Sequence, residues 1–323
     1  MTKIKIELLI DPDETNSAND ILSNCMNVCW KILEKDISFV CTVENFQKCT
    51  NDNPENNVIN RKCISFEGVC DGDIDIKNNS IKGISIQQEN SFYTKHRISN
   101  GIYYLDDYYE EELKPNIVCT ILSVFFANPM LDLMCGCVSV YLNDSFYKKD
   151  FFINSSIQSY WLEQCTSLFK ERISFKECWN WITKNTSIFQ KGHLSSPSFS
   201  AISYILNREL HESLVYSTIG LESLFCPKES KSTKYLLSKR IPRVFSNIEE
   251  SDIKKLYEAR SNIVHGNIET GNFYFAREII QTDESITKAC VLGATLLVES
   301  IRTLIKRNAT HYVFREKIEY NFE

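Results

Sequence analysis

The chain has 323 residues, of which 43% are hydrophobic, with only 10 Gly and 7 Pro. That composition excludes global disorder and low-complexity linkers, and it leaves room for two domains. The net charge of −6 excludes a surface that is basic throughout, so any polyanion contact has to be local.

The 13 Cys are scattered along the chain without one C-x-x-C pair. This spacing argues against a metal site or a redox motif and predicts buried, reduced thiols, as expected of a cytoplasmic protein. Lys3 and Lys5 interrupt the first apolar residues, and Asp11 and Asp13 follow, so no secretory leader is expected. The uncharged run over residues 115–131 is short and interrupted by Asn116, Asn128 and Pro129, which predicts buried core and no membrane partner.

In chain order, residues 1–150 read as a β-rich domain. Short apolar and β-branched runs at 4–10, 37–43, 63–69, 81–86 and 138–142 are bounded by Asn-, Asp- and Gly-rich stretches. Residues 117–126 fit either a buried strand or a short helix. Asp71, Asp73 and Asp75 alternate with Gly72, Ile74 and Ile76 but lack the closing Glu of a calcium loop, so they read as a turn entering a strand.

From residue 151 the period becomes helical. One stretch carries Tyr160, Leu162, Cys165 and Phe169, and a second, over 175–182, carries Trp179 and Trp181. Small residues and Pro197 then interrupt the pattern. A long helix is predicted over 199–225, with Phe199, Ile202, Leu206, Leu210, Leu214, Thr218, Leu221 and Phe225 as its stripe and Pro227 as its stop. A second is predicted over 251–265 and a third over 284–307, the last capped by Thr282 or Asp283. The fold class is therefore α+β: a β-rich domain (1–150) followed by a helical bundle (151–323).

Charge divides unevenly between these parts. Residues 196–323 carry 17 Lys/Arg against 16 Asp/Glu, and 228–243 alone hold Lys228, Lys231, Lys234, Lys239, Arg240 and Arg243 against one acid, Glu229. Such a segment is either a solvated surface or a polyanion contact.

The predicted helix over 251–265 contains an anomaly. Ile253, Leu256, Tyr257, Ile263 and Val264 cluster on one side at 100° per residue, and Arg260 falls within that stripe. A guanidinium on a buried face is costly unless it is paired, for instance with Glu222 or Glu258, or faces another subunit. His265 stands in the last turn before Gly266, where the negative helix end suits a cationic ring and glycine lets the chain leave.

The stretch Leu256-Tyr-Glu-Ala-Arg-Ser-Asn-Ile-Val-His-Gly266 resembles the motif helix of HEPN ribonucleases, in particular the ApeA-like HEPN group of anti-phage systems. Residues 208–225, ending Gly220-Leu-Glu-Ser-Leu-Phe225, resemble the helix that precedes the motif in that group. Leu236-Leu-Ser-Lys-Arg-Ile-Pro-Arg243 resembles the connecting segment. The resemblance spans roughly 196–307.

It implies an all-α HEPN domain and a metal-independent endoribonuclease of the Arg-x4–6-His class, with no cofactor, working as a homodimer in which two motif helices share one cleft. Arg260 and His265 match the motif pair. Ser261 stands where Asn or Asp is usual, which leaves the polar helper open between Ser261 and Asn262. Glu222 matches an acidic position on the preceding helix. Lys234, Lys239, Arg240 and Arg243 are the expected RNA contacts. The resemblance further implies RNA, including tRNA, as substrate, a role in defence or toxin-like arrest, and a phage-derived trigger or inhibitor as partner. The alternative is a non-catalytic HEPN interaction module.

Overall fold

A computed structural model describes residues 1–10, 19, 21–22, 27–32, 35–48, 59–70, 73–82, 98–99, 102–129, 137–151, 172–189, 196–207, 210–226, 232–266 and 284–314. The chain divides into two compact units, residues 1–158 with 172–184, and residues 159–171 with 185–323. An antiparallel β region comes first and the helices follow, an α+β arrangement.

In the first unit a six-stranded antiparallel sheet runs in the order β10-β9-β1-β4-β3-β2. Its strands are β1 (Thr2–Ile10), β2 (Val28–Ile32), β3 (Lys35–Lys48), β4 (Ile59–Cys70), β9 (Cys137–Leu142) and β10 (Ser145–Phe151). The central register sets Ile6 opposite Phe66 and Val140, and Leu8 opposite Ile64 and Val138, so one face is a continuous apolar layer. A four-stranded sheet, β5-β6-β8-β7, is built from β5 (Asp73–Asp75), β6 (Ser80–Lys82), β7 (Ile98–Ser99) and β8 (Ile102–Tyr104). Asp75 closes the β5–β6 turn by accepting from the Asn78 backbone (3.2 Å) and side chain (2.6 Å).

The segment that periodicity left open is α1 (Lys114–Ala127). It has Pro in its first turn, and the hydroxyls of Thr120 and Ser123 donate to carbonyls four residues back, at 2.9 and 2.6 Å. Ile117, Ile121, Val124, Phe125 and Phe126 are all buried, and burial around so much of the helix erases the amphipathic signal. The helix α2 (Phe175–Lys184), with buried Trp179 and Trp181, packs on α1 and belongs to this first unit. The structural division therefore differs from a boundary at residue 150. The helical stretch expected around Tyr160–Phe169 lies outside the described residues, as do residues 83–86 and the Thr282/Asp283 cap.

The second unit contains α3 (Ser196–Asn207), α4 (Leu210–Phe225), α5 (Thr233–Val244), α6 (Glu250–His265) and α7 (Glu284–Arg307). The single helix expected over 199–225 is thus two helices, and they pack side by side. Ser198 Oγ donates to the Gly220 carbonyl (3.1 Å), and the Tyr204 and Tyr216 rings stack 4.3 Å apart. The apolar stripe keeps its phase from one helix into the next, which is why the sequence reads as one element. Pro197 sits in the first turn of α3 and starts that helix, as proline does where the N–H has no partner.

The small residues set how closely these helices approach. A Cβ on Gly220 would lie 2.7 Å from Leu297 Cδ2 of α7 and 3.0 Å from Ala201 Cβ of α3. Gly220→Val is therefore expected to destabilise the second unit by about 2 kcal/mol through overpacking. Urea denaturation followed by helical circular dichroism tests this, and an unchanged midpoint would contradict the close approach. Leu214, Leu221, Ile253, Leu256, Leu297 and Ile301 fill the core that α4, α6 and α7 share.

Among the described residues no helix is long and apolar enough to cross a membrane, and no three His, Cys, Asp or Glu side chains gather as for a metal ion. Burial pushes the Cys119 thiol up to about 11 and the Cys290 thiol up to about 12.

Candidate functional site

The helix α6 carries the candidate pair, and its two ends are firmly defined. At its start Glu249 and Asp252 form a reciprocal capping box, in which the Glu249 N–H donates to Asp252 Oδ2 at 3.0 Å. At its end Gly266 turns left-handed (φ 67°) and its N–H reaches the Ile263 carbonyl at 3.3 Å. The capping box fixes the first turns of α6, and Ile253 and Leu256 seat the helix in the core.

The last two turns are less covered than the apolar stripe predicts. Tyr257 and Ile263 are half-buried and Val264 is 47% exposed, so the expectation of a fully buried stripe is corrected there. Arg260 is correspondingly half-buried, but its Nε is buried and without a hydrogen-bond partner.

Neither carboxylate weighed as a partner pairs with Arg260. Glu258 takes Lys234 at 3.2 Å, and Glu222 Oε1 accepts from the Tyr257 hydroxyl at 3.1 Å. The Arg260 guanidinium instead lies over the Tyr257 ring, 5.6 Å from its centroid. This Glu222–Tyr257–Arg260 series was not foreseen. Its one sequence signal is the i,i+3 spacing of Tyr257 and Arg260, which sets both on one face of a helix. Burial first, and then the Glu222 carboxylate, hold the Tyr257 phenol above its usual range, so it remains a proton donor to Glu222.

His265 is exposed, with Ser261 half-buried and Asn262 exposed one turn before it. Five residues of helix separate Arg260 from His265, about 140° around the axis and ~7.5 Å along it. Arg260 shares its face with Tyr257 and Val264, whereas His265 shares its face with Ser261 and Asn262.

The four expected RNA contacts divide. Lys234 is held by Glu258, and Lys239 by Glu250 at 2.7 Å; these pairs are solvent-exposed and screened by water, so a phosphate can displace the carboxylate. Arg243 is exposed. Arg240 does not fit a surface role. It is 3% exposed, its Nη1 donates to the Phe225 carbonyl at 2.6 Å, and its guanidinium lies 4.8 Å from the Phe314 ring centroid. The sequence pattern marks it as one more cation in a basic run, but the fold uses it as an internal clamp. Lys228 and Lys231 lie outside the described residues.

Comparisons with protein-family models, with curated proteins and with solved structures return no match to this chain.

Proposed function

We propose that the chain is a HEPN-type endoribonuclease whose helix α6 supplies Arg260 and His265 to a cleft shared by two copies. The observation that carries this reading is Arg260 itself. It is a half-buried arginine with no hydrogen bond or ion pair among the described residues, one face of a helix away from an exposed histidine. A guanidinium kept free of carboxylates keeps its fork for a phosphodiester, which it holds bidentately.

The reaction needs little else. The ribose 2′-oxygen bonds to phosphorus, the bond from phosphorus to the 5′-oxygen breaks, and the products end in a 2′,3′-cyclic phosphate and a 5′-hydroxyl. One proton leaves the 2′-hydroxyl and one reaches the departing 5′-oxygen. Two copies of His265, one neutral and one protonated, can accept the first and donate the second. Arg260 stabilises the charge that builds on the phosphoryl oxygens. Ser261 and Asn262 stand on the His265 face, where a hydrogen bond to substrate or ring is within a helix turn.

A shared cleft also accounts for the exposed last turn of α6. Val264, with Ile219 of α4 at 39% exposure, offers apolar surface to a second copy. The same exposure would serve a non-catalytic interaction module, the second reading. RNA, including tRNA, is the substrate class, the cytoplasm the compartment, and defence or toxin-like arrest under a phage-derived trigger or inhibitor the setting that the family resemblance implies.

The test is cleavage of bulk RNA and tRNA by wild type and Arg260→Ala, together with sedimentation. Arg260-dependent cleavage by a dimer is expected. A 37.5 kDa monomer that cleaves equally with and without Arg260 contradicts the proposal.

A further inference from the structure

We infer that Tyr257 is a positioning residue for Arg260: its ring carries the guanidinium, and Glu222 anchors that ring through the phenol. The inference rests on the reading of Arg260 as the phosphate contact. It changes the part given to Glu222, which acts through Tyr257 and not on the substrate.

The geometry leads there in three steps. Arg260 has a long side chain with many rotamers, and such a chain binds weakly unless something limits its freedom. The common device is a carboxylate, but a carboxylate would occupy the fork that must meet the phosphate. The structure offers another support. The Arg260 guanidinium lies 5.6 Å from the Tyr257 ring centroid, within cation–π range, and that contact uses none of its N–H donors, of which Nε is buried.

The ring is itself fixed. The Tyr257 hydroxyl donates to Glu222 Oε1 at 3.1 Å, joining α6 to α4 across 35 residues of chain. The phenol remains protonated through neutral pH, since burial and the Glu222 charge both hold it above its usual range. Glu222 thus holds the ring and does not pair with Arg260.

A double-mutant cycle on the full chain tests this. The probe is a short 2′-O-methyl RNA oligonucleotide, which lacks the 2′-hydroxyl nucleophile and so reports binding alone. Tyr257→Leu is expected to weaken binding about 3- to 10-fold in the wild-type background, as loss of a cation–π support would. In the Arg260→Ala background the same change is expected to cost less than about 2-fold, because nothing remains to position. Tyr257→Phe, which keeps the ring but releases it from Glu222, should fall between Tyr257→Leu and wild type.

Circular dichroism melts check that each variant folds. If Tyr257→Leu does not, Tyr257→Phe and Glu222→Ala are read in the same two backgrounds. Equal losses in both backgrounds would overturn the inference and leave the Arg260–phosphate reading standing. Equal affinity of wild type and Arg260→Ala would overturn that reading and the inference with it.

Discussion

His265→Ala is expected to lower RNA cleavage by about 10²- to 10⁴-fold, the range for loss of a positioned proton-transfer group. It should do so without unfolding the chain. His265 is exposed in the last turn of α6, and the turn is closed by Gly266 through the backbone and not by the imidazole. A surface substitution of this kind changes stability by about 0.5 kcal/mol or less. Arg260→Ala is expected to cost cleavage about 10²- to 10³-fold, as for removal of one group that stabilises transition-state charge. Single-turnover cleavage of a labelled RNA and urea denaturation of the same preparations check both points. A His265→Ala protein that is folded and as active as wild type would remove the histidine from the mechanism.

The second large effect is on stability and comes from Arg240. Phe225, the last residue of α4, is fully buried and stacks on Tyr312, with centroids 4.9 Å apart. The Tyr312 hydroxyl donates to the Ser300 carbonyl of α7 at 2.7 Å, and Phe314 packs beside both rings. Arg240 of α5 closes this group by donating to the Phe225 carbonyl and covering Phe314. One side chain thus links α5 to the end of α4 and to the segment that follows α7.

Arg240→Ala leaves a buried carbonyl without its charged donor and opens a void, which together should cost the second unit about 2–4 kcal/mol. Its effect on the salt dependence of RNA binding should be nil. Arg243→Ala is expected to behave oppositely: stability nearly unchanged, and a log–log salt slope of RNA binding reduced by about 1. Urea midpoints and affinities across a salt series separate the two. A stable Arg240→Ala protein with a shallower salt slope would return Arg240 to the surface.

Much of the fold was legible because its elements carry simple periods. The alternation at 4–10 and 138–142 gives two neighbouring strands of the large sheet, and Gly266 marks the end of α6 at His265. The failures share one cause, that a local pattern carries no information about what faces it. Residues 117–126 are buried around most of the helix and so show no stripe. The stripe over 199–225 continues in phase through a change of direction, so two packed helices read as one. Arg240 and Arg243 look alike in sequence, and only tertiary structure makes the first an internal clamp.

For the candidate site, the sequence marked positions and not contacts. Arg260 stands out because it interrupts apolar positions, and His265 because it precedes Gly266. The link from Glu222 through Tyr257 to Arg260 joins residues 35 positions apart and depends on how α4 and α6 pack, which no spacing rule encodes.

The chemistry at the cut ends tests the central claim most directly. Wild type and an Arg260→Ala/His265→Ala double variant are incubated with tRNA and bulk RNA in excess EDTA, and the product termini are identified by mass spectrometry. The expected result is wild-type fragments ending in 2′,3′-cyclic phosphate, or the monophosphate from its hydrolysis, paired with 5′-hydroxyls, and none from the double variant. Fragments with 5′-phosphates, or equal cleavage by the two proteins, would contradict it.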